Sequence, residues 1–137
     1  MDLAFTYIKT NPLESEADYS YTGRDGTCSY DSSKGVGLVT GFSDVTFGSA
    51  TQMRAALAKG PVSVAIEADT YVFQMYTGGV ITSSSCGTQL DHGVLCVGYG
   101  TENGIDYFLV KNSWGASWGH DGYVKIGAKN NTCGILS

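Results

Sequence analysis

The amino-acid sequence predicts an α+β chain whose C-terminal part is dominated by strands, and three observations carry the prediction. After residue 35, short runs of β-branched and aromatic residues succeed one another without regular crossover helices between them. One well-signalled helix, opening at Ser49, interrupts these runs. Residues 91–100 and 107–115 read as the two arms of an antiparallel hairpin, with a Gly, Asn and Glu-containing loop from Gly100 to Gly104 between them. The expected arrangement is an antiparallel sheet or barrel with a flanking helix.

The length of 137 residues and the 42% hydrophobic content suit one globular domain with a modest core. A formal net charge of -5, with no basic cluster, argues against nucleic acid or an anionic membrane as partner. No run reaches the roughly 18 apolar residues of a membrane span. The first residues also lack the basic and apolar regions of a signal peptide.

Residues 2–9 place Leu3, Ala4, Tyr7 and Ile8 at helical spacing, with Asp2 as the expected N-cap and Asn11-Pro12 as the stop. Residues 13–34 are rich in Ser, Asp, Gly and Tyr without a sustained period, which predicts loop with turns at Asp25-Gly26 and near Ser32. Val36, Leu38 and Thr40 alternate within 35–46 and predict a strand. Ser49, with Gln52 three residues on, opens a helix whose apolar face is Met53, Ala56 and Leu57 and which ends at Gly60-Pro61. Residues 62–66 alternate cleanly, and the apolar run 71–76 stops at Gly78-Gly79. Residues 122–126 form a last strand, and 130–137 a polar tail.

The hairpin carries the chemistry. If its turn is centred on Glu102, residues whose numbers sum to 204 face each other, so Val94 meets Val110 and His92 meets Asn112. Opposed residues have Cβ atoms about 4.5–5.5 Å apart, within reach of a hydrogen bond from imidazole to the asparagine oxygen. A base held by a neutral orienting group is half of a nucleophilic triad of the Cys-His-Asn kind. The bland alternative makes Asn112 a turn asparagine that caps its own backbone.

Leu90-Asp91-His92-Gly93-Val94 with Val97-Gly98-Tyr99-Gly100, then Lys111-Asn112-Ser113-Trp114-Gly115 with Trp118-Gly119 and Gly122-Tyr123, resembles the histidine and asparagine blocks of papain-like cysteine peptidases, in particular the cathepsin L group. The likeness extends through Gly60-Pro61-Val62-Ser63-Val64 and Met1-Asp2-Leu3-Ala4-Phe5. It implies a papain-like fold, mostly the β-barrel lobe over 36–137, with residues 1–35 as a remnant of the helical lobe and the crossing between lobes. The family's Cys-Gly-Ser-Cys-Trp-like nucleophile block and the glutamine of its oxyanion hole are absent from these residues. The chain therefore reads as the C-terminal two-thirds of such an enzyme, and is expected to be inactive alone.

By the same resemblance, His92 and Asn112 are the catalytic residues and Trp114 covers their contact, while Trp118 is structural. Ala65, Leu90 and Gly93 correspond to the main specificity pocket, with Met1 at its far wall. Cys86 and Cys133 correspond to disulfide partners, and Cys28 to a cysteine whose partner lies in the missing segment, so it is expected unpaired. The implied partners are a peptide or protein substrate in the intact enzyme, protein inhibitors, and the missing N-terminal segment. The implied location of the parent protein is lysosomal, vacuolar or secreted.

No cofactor is implied, and the four cysteines and two histidines lack zinc-site spacing. As a substitute nucleophile Cys96 fails, since four residues of strand put it roughly 13 Å from His92. Serines 83–85, Ser113 and Ser117 have no better claim, and His120 has no expected role. Asp91 could tune His92, though an exposed carboxylate is its default. Asn130-Asn131-Thr132 is an N-glycosylation acceptor by sequence. Two further readings stay open: a non-catalytic binding homologue, and one chain of a split enzyme.

Overall fold

The computed structural model describes residues 1–82 and 84–137. Ser83, one of the serines weighed above, lies outside the described residues. The chain divides into two compact units, Met1–Asp44 and Val45–Ser137.

The first unit opens with helix α1, Asp2–Ile8. Its N-cap is Met1 rather than Asp2, and no side chain caps it. Asp2 sits instead in the first turn, where its negative charge suits the positive end of the helix dipole. The stop at Asn11 holds in a different form: the Asn11 amide donates to the Tyr7 carbonyl at 3.0 Å and ties off the last turn. The strand expected over 35–46 does not form. Leu13 and Gly37 make an isolated antiparallel bridge, and the alternation beyond it finds no partner strand. Val36 and Leu38 are both exposed, so the pattern has no apolar surface to lie against. Gly35 is required where it stands, because a Cβ there would fall 2.4 Å from the Pro12 ring.

The second unit begins with helix α2, Ala50–Leu57. Ser49 is its N-cap, and the serine oxygen accepts from the Gln52 N–H at 3.2 Å. The Gln52 side chain reaches past Ser49 to accept from the Thr46 N–H at 3.1 Å, so the capping residues also fix the entering chain. Met53 is buried, with Ala50 and Leu57 packed beside it. Strand β1, Val62–Ile66, alternates as expected, with Val64 and Ile66 inward and Ser63 outward. The apolar run from Tyr71 becomes a short helix, α3, Tyr71–Gln74, that buries Phe73.

The remaining strands are β2, Val80–Ile81, β3, His92–Glu102, β4, Ile105–Lys111, and β5, Tyr123–Gly127. Among the described residues they join β1 in a five-stranded sheet of order β1-β3-β4-β5-β2. The pairs β1–β3, β3–β4 and β4–β5 are antiparallel, whereas β2 adds to β5 in parallel, so the sheet is mixed rather than wholly antiparallel.

The hairpin register differs from the sequence expectation. Its turn is Asn103-Gly104, both residues left-handed at φ 50° and 78°, the geometry an Asn-Gly two-residue turn adopts. Near the turn Glu102 faces Ile105 and Tyr99 faces Phe108; beyond an irregularity between Cys96 and Gly98, Cys96 faces Val110. Val94 therefore does not meet Val110. Instead Val94 faces Val64, and His92 faces Ile66, across the other edge of β3. The unpaired residue of this bulge, Val97, carried no signal in the alternation.

The core centres on Phe73, Phe108, Ile66, Ile126 and Ile135, all fully buried. Ile135 belongs to the segment expected to be a polar tail. That segment is instead part of the core: residues 132–136 are buried, and Glu67 N–H donates to the Cys133 carbonyl at 2.9 Å. The Cys86–Cys133 disulfide anchors it, with Cα atoms 4.8 Å apart.

Candidate active site

His92 stands at the first residue of β3, and Asn112 follows the last residue of β4. With the register set by the bulge, the two meet diagonally rather than face to face, and His92 Nε2 lies 2.8 Å from Asn112 Oδ1. Asn112 is held from behind as well. Its own N–H donates to the Gly122 carbonyl at 3.0 Å, and its side-chain oxygen accepts from the Ser113 N–H at 2.8 Å.

That last bond decides the chemistry of the pair. A backbone N–H can only donate, so the amide atom that receives it must be oxygen rather than nitrogen. The same oxygen then faces His92 Nε2, which must carry the proton and donate it. The ring is thereby set as the Nε2–H tautomer, with the Nδ1 lone pair left to accept a proton. The turn reading of Asn112 and the imidazole-holding reading are both true of one oxygen. Asn112 is buried, and its Nδ2 has no partner among the described residues.

Trp114 lies tilted against the imidazole, ring centroids 5.2 Å apart and planes at 30°. It rests in turn on Phe73, edge-on at 5.5 Å, and on Trp118 at 5.3 Å. Trp118 stacks on Phe73 and Tyr76, and its indole N–H donates to the Gln74 carbonyl at 3.0 Å. Helix α3 therefore supports the aromatic wall beside His92. The contribution of Phe73 had no signal in the sequence, because its partners lie about forty residues away along the chain.

Ala65 and Gly93 face each other across β1 and β3, and a Cβ at Gly93 would meet open space. By strand alternation they lie on the face opposite to Ile66 and His92. Leu90, half-exposed, precedes the strand, and its side chain approaches Gly134 closely enough that a Cβ there would fall 2.5 Å from it. Asp91 is not a free carboxylate: its two oxygens accept from the Ala68 and Asp69 N–H groups at 2.8 and 3.2 Å, tying the loop after β1 to the start of β3. Burial, with Asp91 and Glu67 nearby, pushes the Asp69 carboxyl upward. His120 pairs through its backbone with Tyr123.

Of the four cysteines, two are joined in the disulfide, Cys28 is free and exposed, and Cys96 is free and fully buried. Burial pushes the Cys96 thiol up to about 11, so it stays protonated at neutral pH. Among the described residues no group of three or more His, Cys, Asp or Glu side chains could hold a metal ion. Among the same residues no helix is long and apolar enough to cross a membrane.

Comparison with known proteins places the chain in a family. The chain is 49% identical to cathepsin L of Sarcophaga peregrina over 142 residues, which cover 100% of this chain and 42% of that protein. The structure superposes on digestive procathepsin L 3 of the Tenebrio molitor larval midgut with a TM-score of 0.93 at 42% identity, covering 99% of this chain and 45% of that one. It also superposes on bromelain from Ananas comosus, solved in complex with the E64 inhibitor, with a TM-score of 0.87 at 36% identity and coverage of 98% and 65%. The chain thus spans less than half the length of the curated relatives it matches. The profile described as papain family cysteine protease matches residues 1–137, and the chain belongs to that family.

Proposed function

We propose that this chain supplies the base half of a papain-like cysteine endopeptidase, with His92 as proton carrier and Asn112 as its positioning residue. The observation that carries the reading is the 2.8 Å contact between His92 Nε2 and an asparagine oxygen whose identity is fixed by the Ser113 N–H. In that arrangement Nδ1 takes the proton of a thiol, returns it to the leaving amine, and then activates the water that releases the acyl group. Trp114 excludes water from the His92–Asn112 bond, which strengthens it. Ala65, Leu90 and Gly93 would shape a small aliphatic pocket suited to Leu, Val or Phe side chains of a peptide. No cofactor enters this chemistry. Protein inhibitors that fill the cleft of the intact enzyme are the further partners of this reading, and the parent protein works in a lysosome or vacuole or outside the cell.

The nucleophile comes from outside these 137 residues. Cys86 and Cys133 are bonded to each other, Cys96 is buried and protonated, and Cys28 corresponds, by the family resemblance, to a disulfide cysteine rather than to the nucleophile. The chain alone is accordingly expected to hydrolyse no peptide. The test is a peptidase assay of the chain with and without a segment carrying the Cys-Gly-Ser-Cys-Trp-like block of a relative. Thiol-dependent activity in the mixture, lost in His92→Ala, supports the reading. Activity of the chain alone that vanishes in Cys28→Ala would overturn the assignment of the nucleophile. A folded mixture that binds peptide and never cleaves it would favour a non-catalytic homologue.

A further inference from the structure

A cavity of about 230 Å³ lies at the opposite end of the β3–β4 hairpin from His92, and the peptidase reading makes no use of it. Thr82, Ile105, Asp106, Lys129, Asn130 and Thr132 contribute to its lining. It is smaller than the 300–1,000 Å³ typical of sites for drug-sized ligands, and its size suits a single sugar ring.

The two asparagines beside it are used in different ways. Asn131 is a structural fixture: its oxygen accepts from the Leu136 N–H at 2.7 Å, and its amide donates to Ser137 Oγ at 2.9 Å. Asn130 is exposed, sits in the left-handed region at φ 58°, and among the described residues no hydrogen bond engages its side chain. Asn130 is also the acceptor position of the Asn-x-Thr triplet. The threonine of that triplet is locked in the folded chain. Thr132 is 8% exposed, its hydroxyl donates to the Lys129 carbonyl at 2.8 Å, and Cys133 next to it is bonded to Cys86.

We propose that Asn130 carries an N-linked glycan, added before Cys133 closes onto Cys86, and that its first N-acetylglucosamine packs into this cavity. The apolar C–H face of the sugar would lie on Ile105, which is 40% exposed, and its polar rim would meet Thr82 and Lys129. In the transfer, Asn130 Nδ2 attacks the anomeric carbon of an oligosaccharide carried on a lipid pyrophosphate. The N–C bond forms, the C–O bond to the pyrophosphate breaks, one Nδ2 proton passes to a base on the transferase, and the lipid pyrophosphate departs. No redox change is involved. The order follows from burial, since a triplet whose threonine is enclosed and engaged is no longer an extended substrate for a transferase. The inference rests on the proposed passage through an oxidising secretory compartment.

The test uses the protein isolated from its source. Treatment with peptide N-glycosidase in heavy-oxygen water should convert Asn130 to labelled Asp in the peptide that follows Lys129. Trimming the glycan to one N-acetylglucosamine should leave Tm unchanged, and removing that last sugar should lower it by about 2–4 °C. Ile105→Ser should abolish that difference. An unmodified Asn130 in molecules that carry the Cys86–Cys133 bond would overturn the glycan while leaving the secretory passage standing. A modified Asn130 whose last sugar can be removed with no change in Tm would overturn its place in the cavity.

Discussion

Breaking the Cys86–Cys133 bond should cost this chain a large part of its stability. The bond closes a loop of 47 residues. Chain entropy for a loop of that length is about 14 cal/mol/K, which corresponds to about 4 kcal/mol at 25 °C. The native geometry adds a reason for the bond to matter. Cys133 is held at φ 54°, an unfavourable conformation for a residue other than glycine, and its carbonyl receives the Glu67 N–H. Without the bond, the buried 132–136 segment has less to hold it against the sheet. The measurement is urea unfolding of the oxidised and reduced chain, followed by the fluorescence of Trp114 and Trp118. The expected result is a loss of about 4 kcal/mol, with a larger m-value for the reduced chain, whose unfolded state exposes more surface. A loss below about 1 kcal/mol would mean that the segment is held by its packing alone and that the bond contributes little.

Two further perturbations probe different parts of the unit. Phe73→Ala removes a fully buried ring beneath Trp114 and Trp118, and should cost about 3–5 kcal/mol while altering the tryptophan emission; an unchanged spectrum would separate α3 from the site. Asp106 accepts from Thr101 and Arg54, which hold its carboxyl below the usual 3.8, so it binds protons more readily in the unfolded chain and its share of stability is lost as pH falls through that range. Acid unfolding of Asp106→Asn should therefore show a shallower dependence on pH below about 4 than the parent chain, and identical slopes would contradict the role given to these bonds.

The sequence carried much of this architecture where the signal was local. Ser49 capped the helix it was expected to cap, β1 followed its alternation, β5 formed where a last strand was expected, and the Cys86–Cys133 pairing implied by the family resemblance formed. What failed depended on partners far away in the chain. The alternation around Val36 and Leu38 was a strand pattern with nothing to pair against. The polarity of Asn130, Asn131 and Thr132 hid a segment that the disulfide and Ile135 draw into the core. In the hairpin, the dipeptide Asn103-Gly104 was the stronger turn signal, and centring the turn on Glu102 passed over it. The bulge at Val97 then shifted the register once more. His92 and Asn112 nevertheless meet, because a diagonal approach across the strand ends is within reach of an imidazole and an amide. The expected contact was right and the register offered for it was not.

The most direct test of the site is the protonation of the His92 ring, read by long-range nitrogen–proton NMR on the neutral form. The expected result is a proton on Nε2 and a bare Nδ1 in the parent chain, and a mixture of tautomers in Asn112→Ala. A proton found on Nδ1 in the parent chain would contradict it, since His92 could then neither donate to Asn112 nor present a lone pair at the position where a thiol must give up its proton.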